Sequence, residues 1–188
     1  MNSWIVQANP QKWLIDWFLD EYIKANPNHE DWWLIEKQYL KDISPGDCVY
    51  VWKAKSEPPH NKDKAKDYFL RLKSIARTRL VAGIFAIGEI RTFPKPWRAP
   101  LWNDERFRKY RIGCPWKKLT PEDYWVLCTY TENRARNPLL QETIWEKLGQ
   151  STKTDLGRFK NGRRGRKLVK LESGEADVIN SLLANRKP

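Results

Sequence analysis

The two carboxylates best placed for acid–base work, Asp42 and Asp47, flank the Ser44-Pro45-Gly46 turn, where capping a turn is the commoner duty of an aspartate. Other chemistry-bearing side chains are sparse. His29 and His60 are isolated, and Cys48, Cys114 and Cys128 are an odd number at no metal-ligand spacing. The chain has no Gly-x-Ser-x-Gly elbow, no Walker loop and no His-Glu-x-x-His motif. The run Gly83-Ile84-Phe85-Ala86-Ile87-Gly88 lacks the third glycine and the following helix that a dinucleotide fingerprint needs. No catalytic residue, metal or cofactor is therefore expected, and the chain does not read as an enzyme.

Flat rings and positive charge are what the sequence does supply. It carries 11 Trp, 7 Tyr and 6 Phe and a formal net charge of +12, which points to a polyanionic partner, most often nucleic acid. Residues 55 to 79 hold eight Lys/Arg against three acids, and residues 153 to 170 hold eight against Asp155 alone. These two stretches account for the whole net charge, so the rest of the chain is neutral on balance. They read as electrostatic arms around a neutral core, contributing salt-sensitive grip on phosphates without sequence preference. Strand-borne tryptophans beside turns, Trp33 and Trp52, are candidate walls for stacking a base, an interaction worth about 1–3 kcal/mol. Trp13 and Trp17 lie on a helical stripe, where a tryptophan is more often core than site, and Trp17 in particular reads as core.

The elements that would position these residues follow from punctuation and periodicity. Trp4 to Ala8 reads as a buried strand, Asn9 as an N-cap, and Pro10 as the first residue of a helix that stops near Asn26-Pro27. Strands are expected at Trp33 to Gln38, Cys48 to Trp52, Leu80 to Ile90, Tyr124 to Tyr130 and Leu168 to Leu171. In the most apolar of these, Gly83 and Gly88 signal a bulge or a close backbone approach. Helices are expected at Lys62 to Thr78, Pro138 to Leu148, and from a Ser173 cap through Leu183, while Thr92 to Pro121 should be mostly irregular. At 188 residues, with no strict βα alternation, this is one α+β domain with a curved sheet or small barrel. No stretch approaches the roughly 18 apolar residues of a membrane span, the start lacks a signal-peptide pattern, and the expected address is a reducing cytoplasm.

Four ordered blocks then become specific. They are Trp4-Ile5-Val6-Gln7-Ala8-Asn9-Pro10, Trp33 with Gln38-Tyr39, Ile43-x-x-Gly46-Asp47-x-Val49-Tyr50-Val51-Trp52, and Ala82-Gly83-Ile84-Phe85-Ala86-Ile87-Gly88-Glu89-Ile90. In order, and through Trp52 in spacing, this series resembles the EVE domain family. The resemblance covers the first half of the chain well and the second half more loosely, through Tyr124 to Tyr130 and Leu168 to Ile179. It implies a PUA-like fold: a small curved β-barrel flanked by helices, related to the YTH domain. It also implies a module that flips one base, 5-methylcytosine or an oxidised form in DNA, into an aromatic pocket. On that basis Asn9 would read a base edge, Trp33 and Trp52 would be the pocket walls, Trp13 would line the pocket or join the core, and the backbone at Ala82 and Gly83 would approach the ligand.

The sequence departs from the family pattern twice, and both departures add positive charge. A basic segment, residues 53–81, intervenes before Ala82, and the closing turn reads Gly162-Arg163-Arg164-Gly165-Arg166-Lys167. In the second segment, residues 153–170, Arg158, Lys160, Arg163, Arg164, Arg166 and Lys167 are the expected phosphate contacts. The expected partner is nucleic acid, DNA ahead of RNA, with no membrane and no metal. An RNA-binding module of the PUA type, and a small-molecule or protein-interaction module, remain the alternatives.

Overall fold

The computed structural model describes residues 1–9, 13, 15–54, 81–96, 110, 124–149 and 167–186. Six strands close into a barrel: β1 (Ser3–Ala8), β2 (Glu30–Ile35), β3 (Cys48–Lys53), β4 (Gly83–Ile90), β6 (Tyr124–Asn133) and β8 (Lys167–Lys170). Their order is β6-β2-β8-β1-β3-β4, and β4 pairs back onto β6 to complete the ring. The barrel is mixed, because β1 pairs with β3 and β2 with β8 in parallel while the other ring pairings are antiparallel. Two short strands, β5 (Lys95–Pro96) and β7 (Leu139–Leu140), extend β6 and β4.

Strand alternation divides the apolar residues into two cores. Inside the barrel lie Trp4 and Val6 of β1, Trp33 and Ile35 of β2, Val49 and Val51 of β3, and Val126 and Tyr130 of β6. The helix α1 (Ile15–Trp17, continued by the π-helical Phe18–Ile23) adds Ile15, Phe18, Leu19 and Ile23 to that cluster. On the outer face, Ile5, Tyr50, Trp52 and Ile84 pack under α2 (Gln141–Leu148) and α3 (Ser173–Ala184), which contribute Ile144, Trp145, Ile179 and Leu183. The Tyr50 hydroxyl donates to Asn180 Oδ1 at 2.5 Å, tying α3 to β3.

The closeness of β4 to its neighbours explains its glycines. A Cβ at Gly88 would lie 2.5 Å from the Thr129 carbonyl oxygen, and one at Gly83, where φ is +154°, would lie 2.2 Å from the Leu139 carbonyl oxygen. The β4–β6 register shifts between Ile87 and Gly88, as the glycine pattern suggested. Asp47 is likewise a turn carboxylate: buried, it accepts from the Asn2 and Ser44 N–H groups and from Trp4 Nε1.

Several element boundaries differ from the sequence reading. β2 starts three residues earlier, at Glu30, and gives way to a 3₁₀ turn at Lys37–Tyr39, because its pairing with β6 begins at Glu30. The described helical run after β1, Ile15–Trp17, widens into a π-helix over Phe18–Ile23, whereas Pro10, the expected first helical residue, lies outside the described residues. The final helix is capped by Glu172 instead of Ser173, through a reciprocal box with Glu175. β6 runs three residues past Tyr130 to pair with the bulged part of β4. The charged helix expected at Lys62 to Thr78, nearly all of the basic segment 53–81 and most of 153–170 lie outside the described residues. Among the described residues no helix is long and apolar enough to cross a membrane.

Candidate nucleic-acid interface

Strand β1 delivers Asn9 to the end of the barrel. The Asn9 carbonyl accepts the Trp13 N–H at 2.9 Å, which ties Trp13 to the end of β1. Trp13 then lies on Trp33, with ring centroids 5.2 Å apart and planes tilted by 46°, and meets Phe18 at 5.3 Å. From Phe18 the aromatic contacts spread through Tyr22 (5.4 Å, stacked), His29 (5.9 Å), Tyr110 (5.4 Å) and Tyr130 (6.1 Å). Trp17 joins through Tyr110 at 5.6 Å. Ring pairs of this kind contribute about 0.5–1.5 kcal/mol each beyond the area they bury. Phe18, Trp33, Tyr110 and Tyr130 are buried, whereas Trp13, Trp17, Tyr22 and His29 are only partly covered and form the accessible side.

Polar groups fix this cluster from beneath. The Tyr130 hydroxyl donates to Asp31 Oδ2 at 3.0 Å and accepts from the Trp33 indole, so a carboxylate, a phenol and an indole hold one another in orientation. Burial, and then the neighbouring Asp31 charge, push the Tyr130 phenol well above its ordinary pKa, so it stays a donor at neutral pH. Three residues beyond Trp13, Asp16 forms a buried ion pair with Lys53, Nζ to Oδ2 at 2.6 Å, and the ammonium also lies 4.8 Å from the centre of the Phe85 ring. Burial lowers the Lys53 pKa, and Asp16 opposes that shift. The pair fastens the first turn of α1 to the end of β3, inside the barrel.

The expected site residues separate into two groups. Asn9, Trp13 and Trp33 come together at one end of the barrel. Trp52 does not join them: it is wholly buried in the outer core, 6.1 Å from Trp145, because it alternates with Val51 on β3 and so faces away from Trp33. A base cannot be held between Trp33 and Trp52. Ala82 and Gly83 also belong elsewhere. The Ala82 carbonyl accepts the Gln141 N–H at 2.9 Å, and the Leu139 backbone fills the space beside Gly83, so the close approach there is by the chain itself. Lys167 begins β8, but its side chain, like Arg158, Lys160, Arg163, Arg164 and Arg166, lies outside the described residues.

Sequence reasoning missed Tyr22, His29, Tyr110, Tyr130 and Asp31 as members of one cluster. Tyr22 was legible only as part of the α1 stripe, and His29 stands alone in the sequence. Tyr110 falls in a Pro-, Trp- and Arg-rich stretch with no periodicity to place it. Nothing short of the β2–β6 register, which pairs Asp31 with Cys128 and Trp33 with Val126, signals the Asp31–Tyr130 contact.

No family model and no curated protein matches the sequence. Solved structures do. The human THYN1 protein, in complex with 5-methylcytosine-containing DNA, is matched with a TM-score of 0.54 at 14% identity over 100% of both chains. The DUF55 domain of human thymocyte nuclear protein 1 is matched at 0.52 and 13% identity, over 98% of this chain and 99% of that one. A protein from Pseudomonas putida is matched at 0.53 and 14% identity, over 96% and 98%. This full-length likeness, and the closed mixed barrel that underlies it, give the chain the PUA-like fold of the DUF55 domain, as the resemblance to EVE domains implied.

Proposed function

We propose that this protein binds nucleic acid, DNA carrying a modified cytosine in the first place, by taking one unstacked base against Trp13 and Trp33 at the end of the barrel. The observation that carries the reading is the Trp13–Trp33 pair at the end of the barrel beside Asn9. A half-buried indole resting on a fixed one can shift to admit a third flat ring, and stacking supplies about 1–3 kcal/mol per base. Asn9, with a carboxamide that both donates and accepts, reads the base edge on this reading. A methyl or hydroxymethyl group on cytosine adds about 1–3 kcal/mol of discrimination if the pocket encloses it. The net charge of +12 supplies attraction to phosphates that is independent of sequence. The likeness to THYN1, solved with 5-methylcytosine-containing DNA, supports the choice of base. The chain's role on this reading is recognition and not turnover.

The test is a salt-titrated binding assay on matched oligonucleotides with cytosine, 5-methylcytosine or 5-hydroxymethylcytosine, alongside the RNA equivalents. Trp13→Ala should erase the preference for the modified base and leave the background affinity intact. Trp52→Phe, in the outer core, should keep the preference. Equal affinity for all three DNA bases, or a preference that survives Trp13→Ala, would overturn the reading. Tighter binding to the RNA series would transfer the site to RNA.

A further inference from the structure

A concavity adjoins the aromatic cluster. It is a groove of about 340 Å³ between the C-terminal half of α1 and the end of β6, within the range of roughly 300–1,000 Å³ usual for small-ligand sites. Tyr130 belongs both to this groove and to the aromatic cluster, so the two are neighbours across one side chain. Its apolar surface comes from Ile23, Pro27 and Tyr130.

The charges of the groove are unequal in what remains of them. Asp20 is held by Arg136 through a two-pronged contact, Nε to Oδ1 at 2.5 Å and Nη2 to Oδ2 at 3.1 Å. Glu132 is paired with the buried Arg134. Both carboxylates are thus neutralised by arginines. Lys24, exposed at the end of α1, is the lining charge that no opposite charge answers among the described residues. The Leu19 carbonyl accepts both the Lys24 N–H, closing the π-helical turn, and Asn133 Nδ2 at 2.6 Å, so the backbone carrying Lys24 is fastened directly to β6. A π-helical turn is an uncommon form, found frequently at functional sites.

We infer that this groove holds the nucleotide next to the base taken by the aromatic cluster, with its phosphodiester on Lys24 and its sugar against Ile23, Pro27 and Tyr130. A single residual positive charge beside a small apolar floor matches one phosphate and one sugar. The exposed Arg136, already committed to Asp20, shields the bound phosphate from that carboxylate. This inference rests on the nucleic-acid reading above.

The experiment is a cycle between Lys24→Gln and single methylphosphonate substitutions, made one at a time at the phosphates flanking the 5-methylcytosine of the oligonucleotide. Lys24→Gln should weaken methylated and unmethylated DNA by the same several-fold factor. It should also lower the slope of log affinity against log salt by about 0.7–0.9, the share of one phosphate. At one phosphate position the methylphosphonate should weaken the wild type to a similar extent and leave Lys24→Gln unchanged. If the wild type binds DNA and reads the base while Lys24→Gln changes neither slope nor affinity, the groove is not a phosphate site and the base reading stands. If the wild type binds no oligonucleotide, the nucleic-acid reading fails first and this inference falls with it.

Discussion

Replacing Lys53 by methionine tests whether the floor beneath the aromatic cluster is as dry as its geometry implies. The Lys53–Asp16 contact is 2.6 Å, and the two side chains are 0% and 1% exposed. Methionine matches the lysine stem and removes the charge, which leaves the Asp16 carboxylate buried with the Trp17 N–H, at 3.1 Å, as a remaining donor. Stranding one member of a buried pair costs about 3–5 kcal/mol, and loss of the cation over Phe85 falls in the same direction. For a chain of this size about 2–4 °C of Tm accompanies each kcal/mol, so the Tm should fall by roughly 6–20 °C. Guanidinium unfolding followed by tryptophan fluorescence gives the free energy directly. The double variant Lys53→Met/Asp16→Leu should recover most of the loss, because it removes the stranded charge along with its partner. Since Asp16 follows Trp13 by three residues, the single variant should also weaken base binding in proportion to the loosening of α1. A loss below about 1 kcal/mol, the value of an exposed pair, would refute the reasoning, as would a double variant less stable than either single one.

Two further outcomes follow from the same physical reading. Gly83→Ala should cost roughly 2–5 kcal/mol in chemical denaturation, since its Cβ would meet the Leu139 carbonyl oxygen at 2.2 Å and φ is +154°, whereas Gly88→Ala, with a 2.5 Å clash and no unusual φ, should cost less. Equal losses at the two positions would contradict this ranking. Stability should decline as pH rises above about 9: burial raises the pKa of Cys48 and Cys128 above 9.0 and of Tyr50 and Tyr130 above 10.0. Above those ordinary values the unfolded chain releases protons that the folded chain retains, which favours unfolding. Lys53, lowered from 10.5, has the opposite sign just below that pH, so Lys53→Met should steepen the decline and Tyr130→Phe should flatten it. A stability profile flat to pH 11 would show these groups to be open to solvent.

The amino-acid order alone settles most of the strands and the excess of positive charge. Runs such as Trp4 to Ala8, Cys48 to Trp52 and Tyr124 to Tyr130 are apolar, β-branched and aromatic over the length of a strand, and each is one. Gly83 and Gly88 announced close backbone contact because a missing Cβ is a local fact, and the charge excess is legible by counting. The composition of the aromatic site is not local. Trp33 and Trp52 look alike in sequence, each on a strand beside a turn, yet register and alternation place one inside the barrel and the other under α2. The same closure brings Tyr130 from β6 to Asp31 on β2, 99 residues away, and Lys53 to Asp16 across the barrel end. A strand's two faces are chemically equivalent until pairing decides which one is enclosed, so the sequence determined that this protein has aromatic walls and positive charge, and only the closed barrel decided which rings share a site.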